Sequence, residues 1–289
     1  VQASNQQAEQ KAIKVTFQQD NVFEVEAIAN KSTPMELLKL HYPKLAKDVI
    51  VAHVNGKYWD LLRPLESDCT LRYFDFSTPE GKHCFWHSSA HILGQAIELV
   101  FPGCHLTIGP PIDDGGFYYD CCLPNGAVVT TEDIPKIQEQ VNKIIKEKQN
   151  FTRLVLSTQQ ALAMFSGNKF KEEIIGRIPA TDLTTCYRNG PLVDLCRGPH
   201  ILNTGKVAAM VVTRTSSAYW MGDNTKDSLQ RIYGISFPTK AELDEYQHLM
   251  AEAEKRDHRR VGTQQELFFF HPLSPGSAFF LPHGTRLYN

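Results

Sequence analysis

Apolar and polar residues alternate over Ile13-Lys14-Val15-Thr16-Phe17, and alternation resumes at Val22-Phe23-Glu24-Val25 after a polar stretch at 18–21. A period of two sends successive side chains to opposite faces, so these segments are predicted to form a hairpin of half-buried strands. The period then lengthens. Thr33, Pro34 and Glu36 have the spacing of a capping box with proline at the first helical position, and Met35, Leu37, Leu38 and Leu40 follow, which predicts a helix. Strands return at 49–54, 58–62 and 70–74, with the turn dipeptide Asn55-Gly56 between the first two. Two strands, a helix and further strands make a small ubiquitin-like β-grasp domain, placed at 13–77. Residues 1–12 carry little that can pack and read as a mobile tail.

From Thr78-Pro79 the pattern is helical up to Phe101-Pro102-Gly103. A second helix is predicted over 132–148, where Ile134, Ile137, Val141, Ile144 and Ile145 form one stripe. Ser157 with Gln160 caps another, and Thr239 with Glu242 caps one running through Arg260. Strand candidates at 151–156, 193–196, 206–213 and 218–220 lie between them. The fold class is therefore α+β, with a larger α+β domain at 78–238, a linker helix at 239–262 and a last segment at 263–289.

Composition narrows the function classes. The chain has 289 residues, enough for about two domains, and 42% hydrophobic with 21% charged residues excludes a disordered or collagen-like chain. Thirty Lys plus Arg against thirty-two Asp plus Glu leave a net charge of -2, so any nucleic-acid contact must be local. The longest apolar run, 207–212, is far shorter than the roughly 20 residues of a membrane span, and the Gln-rich start is no signal segment. Seven cysteines without a Cys-x-x-Cys fit reduced thiols in the cytosol.

Two segments carry chemistry. His87 and His91 are four residues apart on the predicted helix, so their imidazoles share a face, and Gly94 and Glu98 continue that stripe. A helix apolar on its other faces turns these histidines to a cavity, although buried histidines are by default hydrogen-bonded packing. In Asp194-Leu195-Cys196-Arg197-Gly198-Pro199-His200, glycine and proline predict a strand running into a sharp turn, with Cys196 and His200 at its rim. Three imidazoles and a thiol are zinc ligands and equally the groups of an acid–base site. Spacing does not choose between them.

The segments HSSAHILGQA, GPPIDDGGFYYD, DLCRGPH, AYWMGD and LQRIYGISFP, in this order, resemble the amino-terminal half of eukaryotic-type threonyl-tRNA synthetases. The resemblance runs from about residue 13 to 289. It implies that 13–77 is a TGS domain, 78–238 an editing domain, and 263–289 the start of a truncated aminoacylation domain, so that ATP-dependent ligation belongs to the full-length enzyme only. The implied reaction is hydrolysis of serine from mischarged tRNA(Thr) in the cytoplasm. The resemblance assigns His87, His91, Cys196, His200, Asp194 and Lys171 to catalysis, and Tyr119, Arg197, Ala218 and Trp220 to substrate binding. His87, with an ordinary imidazole pKa near 6.5, would orient or deprotonate the water, and Cys196 would be a polar wall or a nucleophile. No cofactor or metal is expected; zinc on His87, His91, Cys196 and His200, as in alanyl-editing proteins, is the alternative. The partner is the acceptor end of tRNA(Thr) carrying serine, with no membrane, and the full-length enzyme is a homodimer. From another class, the chain reads as a non-catalytic tRNA-positioning module.

Overall fold

The structure is a computed structural model that describes residues 11–179 and 181–289, so most of the tail predicted at 1–12 lies outside the described residues. The predicted hairpin is present as β1 (Ala12–Gln18) and β2 (Val22–Ile28), with Ile13, Val15 and Phe17 buried on one face. α1 (Pro34–His41) starts with both halves of the capping box. Thr33 Oγ1 accepts the Glu36 N–H at 3.2 Å, and Glu36 Oε2 accepts the Thr33 N–H at 3.0 Å. β3 (Val49–Val54), β4 (Lys57–Trp59) and β5 (Cys69–Asp75) complete a sheet of order β2-β1-β5-β3-β4, with β1 and β5 parallel. The strand predicted over 58–62 stops at Trp59, because the Arg63 N–H donates to the Asp60 carbonyl at 3.1 Å and closes a turn. Met35, Leu37 and Leu38 of α1 fill one core with β1 and β5, whereas Ile50, Val51 and Phe74 join the core of the following domain.

That domain is built on α2 (Pro79–Val100), which is capped by Thr78 and ends at Phe101 as the sequence predicts. In chain order β6 (His105–Leu106), β7 (Phe117–Cys122), α3 (Ile134–Glu147), β8 (Thr152–Ser157), α4 (Thr158–Met164), α5 (Lys169–Gly176), β9 (Leu183–Asn189), β10 (Leu192–Leu195), β11 (Ala209–Tyr219) and β12 (Ser228–Phe237) follow. They make two antiparallel sheets, β11-β12-β7-β6 and β10-β9-β8. α2 shares one core with α3 and with the inner face of the first sheet through Ala90, Leu93, Ile97, Ile137, Val141, Phe117 and Ile232. The strand predicted from 206 starts only at Ala209, since Asn203 caps a short 3-10 turn over Thr204–Lys206, and it then takes in Ala218 and Tyr219 of the separate strand predicted at 218–220, while Trp220 begins another 3-10 turn.

The chain divides into two compact units, one ending at Pro238 and the other Thr239–Asn289. The second contains α6 (Lys240–Lys255), α7 (His258–Gln264), the hairpin of β13 (Phe268–His271) and β14 (Ser274–Phe280), and α8 (Pro282–Tyr288). The capping box at Thr239 is present, but the single linker helix predicted over 239–262 is broken. Asp257 caps a new helix by accepting the Arg259 N–H at 2.8 Å. Among the described residues no helix is long and apolar enough to cross a membrane.

Candidate active site

Both predicted halves meet. On α2, His87 and His91 are one turn apart with ring centroids 5.4 Å from each other. After β10 the chain keeps one more link to β9, the Cys196 N–H donating to the Thr185 carbonyl at 3.1 Å. It then turns at Gly198, where φ is +65° and a Cβ would meet the Tyr187 hydroxyl at 2.2 Å, so no other residue fits. The turn brings His200 back to α2, 4.6 Å from the His87 ring and 4.3 Å from the His91 ring. One ligand-type atom each from His87, His91, Cys196 and His200 lies within 4.8 Å of the others.

Bond counting assigns the protons. Ser88 Oγ lies 2.8 Å from the Cys84 carbonyl and 3.0 Å from His200 Nδ1. A carbonyl only accepts, so the hydroxyl proton goes there and His200 Nδ1–H donates to Ser88, leaving His200 Nε2 a bare acceptor. Cys196 Sγ sits 3.2 Å from that nitrogen and 3.1 Å from His87 Nε2, and it also receives the Gly198 N–H at 3.2 Å. The thiol therefore donates to His200 and accepts from His87, whose other ring nitrogen is left as the acceptor. Burial holds all three rings neutral. It lowers His87 to about 3, helped by His91 and His83; it lowers His91 to about 4 against the pull of Asp194; and it takes His200 well below the usual imidazole value. His87 is thus a far weaker base than its ordinary pKa suggests. Burial pushes the Cys196 thiol up, and Asp194 adds to this against the Gly198 N–H, so it stays protonated.

Next to the cluster lies a buried ion pair. Lys171 Nζ is 2.5 Å from Asp194 Oδ1, with the two residues 3% and 4% exposed. Lys171 is fixed by the start of α5, where the Asn168 side chain accepts the Phe170 and Lys171 N–H groups and donates to the Leu106 carbonyl at 2.9 Å. Neighbouring Lys169 turns outward to Asp227 at 2.6 Å. Tyr119 donates a short hydrogen bond to Asp194 Oδ2, and His91 Nε2 stands 3.7 Å from the same oxygen. Burial pushes the Asp194 carboxyl up, but Lys171, His91 and the Tyr119 hydroxyl outweigh it and hold the group below the usual carboxylate range. His91 Nδ1 is buried with no hydrogen-bond partner among the described residues, an exception among buried polar atoms. His87, His91, Lys171, Asp194 and Cys196 line a cavity of about 720 Å³, with Arg177 and Arg197 at its rim.

Residues 13–74 match the TGS domain, and residues 184–233 match the Threonyl and Alanyl tRNA synthetase second additional domain. Over 278 residues the chain is 52% identical to the probable threonine–tRNA ligase 1, cytoplasmic, of Dictyostelium discoideum, covering 96% of this chain and 38% of that protein. It is 47% identical over 287 residues to the human threonine–tRNA ligase 1, cytoplasmic, covering 99% and 39%. The chain belongs to the threonyl-tRNA synthetase family. It spans about two fifths of the length of these relatives.

Set against the positions that the resemblance to threonyl-tRNA synthetases assigned, two residues lie elsewhere. Trp220 is 2% exposed, edge-on to Phe170 and bonded to Glu173 at 2.6 Å, so it braces α5 from behind. Ala218 is paired with Leu229 in β11 and does not line the cavity, whereas Met221 does. Tyr119 is wholly buried and acts on the cavity only through Asp194. His83, Thr184 and Thr185 also line the cavity, beyond the residues that the sequence motifs single out. The signal for His83 was in the sequence, since 83, 87 and 91 form one ladder at helical spacing; nothing local marked the threonines.

Proposed function

We propose that this cavity hydrolyses the ester between serine and the terminal ribose of tRNA(Thr), the editing reaction of a threonyl-tRNA synthetase. The observation that carries this reading is the placement of His87, His91, Cys196 and the Lys171–Asp194 pair in the wall of one cavity, with buried His200 bonded to Cys196. Ester hydrolysis needs a water held against the carbonyl carbon and donors where the oxygens gain charge. The His87 nitrogen turned away from Cys196 accepts from that water. With a pKa near 3, His87 orients the water and takes a proton only as the new C–O bond forms. Lys171, anchored on Asp194, offers its remaining N–H groups to the developing oxyanion. Cys196, kept as a thiol, is a polar wall and forms no thioester. Arg177 and Arg197 meet phosphates of the incoming strand.

The same four residues fit a zinc ion, and the unpartnered His91 Nδ1 favours that second reading. Zinc held there would lower the pKa of a bound water to about 7. We favour the metal-free form, in which the Cys196 thiol is hydrogen-bonded to His87 at 3.1 Å and to His200 at 3.2 Å. A module that only positions tRNA leaves the buried Lys171–Asp194 pair without a role. The reading also places the protein in the cytoplasm, in keeping with the names of its relatives, and makes the full-length enzyme a homodimer.

Serine and threonine differ by a methyl, worth only about 1 to 3 kcal/mol by attraction. A second site inverts the preference by leaving no room for that methyl beside His91, Asp194 and Cys196, because repulsion discriminates more sharply. Incubation with seryl-tRNA(Thr) and threonyl-tRNA(Thr) is expected to release serine rapidly and threonine slowly, with chelator-treated protein equally active. Equal release of both, or none, defeats the editing reading; one tightly held ion whose removal abolishes hydrolysis moves it to zinc.

A further inference from the structure

The turn that carries Cys196 and His200 is held from outside its own domain. Asp60 belongs to the stretch matched by the TGS domain, at the end of β4. Its Oδ1 accepts the His200 backbone N–H at 2.9 Å, and its Oδ2 accepts the Tyr187 hydroxyl at 2.7 Å. Tyr187, 2% exposed on β9, stands edge-on to the His200 ring at 4.5 Å, while Phe151 stacks on that ring at 4.7 Å and 9°. The same Tyr187 hydroxyl fills the space that a Cβ on Gly198 would need. One carboxylate thus fixes the backbone of His200 and, through Tyr187, one wall of its ring and the floor of the turn.

The carboxylate is itself rigidly carried. The turn after β4 is closed by the Arg63 N–H on the Asp60 carbonyl, the Arg63 guanidinium lies 3.4 Å over the Trp59 ring, and Trp59 Nε1 donates to the Arg63 carbonyl at 3.0 Å. Next in the chain, Leu61 is buried and its carbonyl receives the Met35 N–H at 2.9 Å, tying the turn to α1. A rigid mount matters because His200 Nε2 accepts from the Cys196 thiol, and a displacement near 1 Å in such a constellation costs about 10²-fold in rate.

We propose that Asp60 is a positioning residue of the hydrolytic site, so that the TGS domain is a working part of the editing centre. This rests on the editing reading above. Asp60 touches no reacting atom; it sets the angle at which His200 meets Cys196.

The test compares Asp60→Ala, Asp60→Asn, Tyr187→Phe and the double variant Asp60→Ala/Tyr187→Phe in the full chain, with Lys57→Ala as a nearby control. Asp60→Ala is expected to lower kcat for seryl-tRNA(Thr) hydrolysis about 10- to 10²-fold with little change in KM. Asp60→Asn keeps an acceptor for the His200 N–H and recovers part of the loss; the double variant is no slower than Asp60→Ala; Lys57→Ala matches the parent. His200 ring resonances are expected to shift in Asp60→Ala and Tyr187→Phe but not in Lys57→Ala. Should Asp60→Ala fail to fold, Asp60→Asn and Tyr187→Phe carry the comparison. Parent-like kcat together with unmoved His200 resonances in these variants overturns the proposal while leaving editing intact. A parent protein that releases no serine defeats the editing reading instead, and Asp60 is then judged on the His200 resonances alone.

Discussion

A proton on the wrong atom would disable the cluster, and its burial decides where protons sit. His87 and His91, lowered to about 3 and 4 by burial, are neutral throughout the physiological range. Their carbon-bound ring protons are therefore expected to show no titration between pH 8 and 5 by NMR, and a midpoint near 6.5 in either ring would refute the assignment. The linkage has a definite sign. A histidine whose pKa falls on folding contributes stability that is complete above about pH 6.5 and is lost as the pH drops toward the folded values. For activity, His87→Ala and Cys196→Ala are each expected to slow seryl-tRNA(Thr) hydrolysis at least about 10²-fold, with unchanged far-UV circular dichroism; near-parent rates in both would dissolve the site. Sequence spacing identified these residues by type, but basicity is a property of their surroundings. The ordinary pKa that made His87 look like a general base does not survive burial.

Among elements, α2 and β7 are locked through two glycines. A Cβ on Gly94 would lie 2.8 Å from Tyr119 Cε2, and one on Gly109 would lie 2.4 Å from Tyr119 Cδ2, so both glycines make room for the ring that bonds to Asp194. Alanine in a helix interior is normally better than glycine by about 1 kcal/mol. Gly94→Ala is nonetheless expected to destabilise by about 1 to 3 kcal/mol, since Tyr119 has nowhere to retreat. At Gly176 in α5, where a Cβ meets nothing within 4 Å, the same change is expected to stabilise by about 0.4 to 1 kcal/mol. Thermal unfolding of the pair distinguishes them, and a stabilised Gly94→Ala would show that the ring has room to move. Capping boxes at Thr33, Ser157 and Thr239 were legible because each is complete within four residues. β12 is not legible as a strand: its Gly234 breaks the alternating pattern, and that glycine makes room for the Phe117 ring, whose Cζ would be 2.8 Å from a Cβ.

At the scale of the molecule, the division at Pro238 predicts that a chain ending there keeps both its cooperative unfolding and its seryl-tRNA(Thr) hydrolysis; loss of either would show that Thr239–Asn289 supports the site. Within the first unit, sequence by itself determined what short-range causes govern: the order of the β-grasp elements, the course of α2 from Thr78 to Phe101, and the two local pairs His87/His91 and Cys196/His200. Each follows from a period or a cap read over a few residues. Tertiary structure decided what depends on distant partners. It joined pairs more than 100 residues apart in sequence, chose Lys171 over Lys169 for Asp194, sent Trp220 behind α5, and brought Asp60 to His200. No local pattern encodes such choices, because burial and long-range hydrogen bonding set their energies only once the chain has closed on itself.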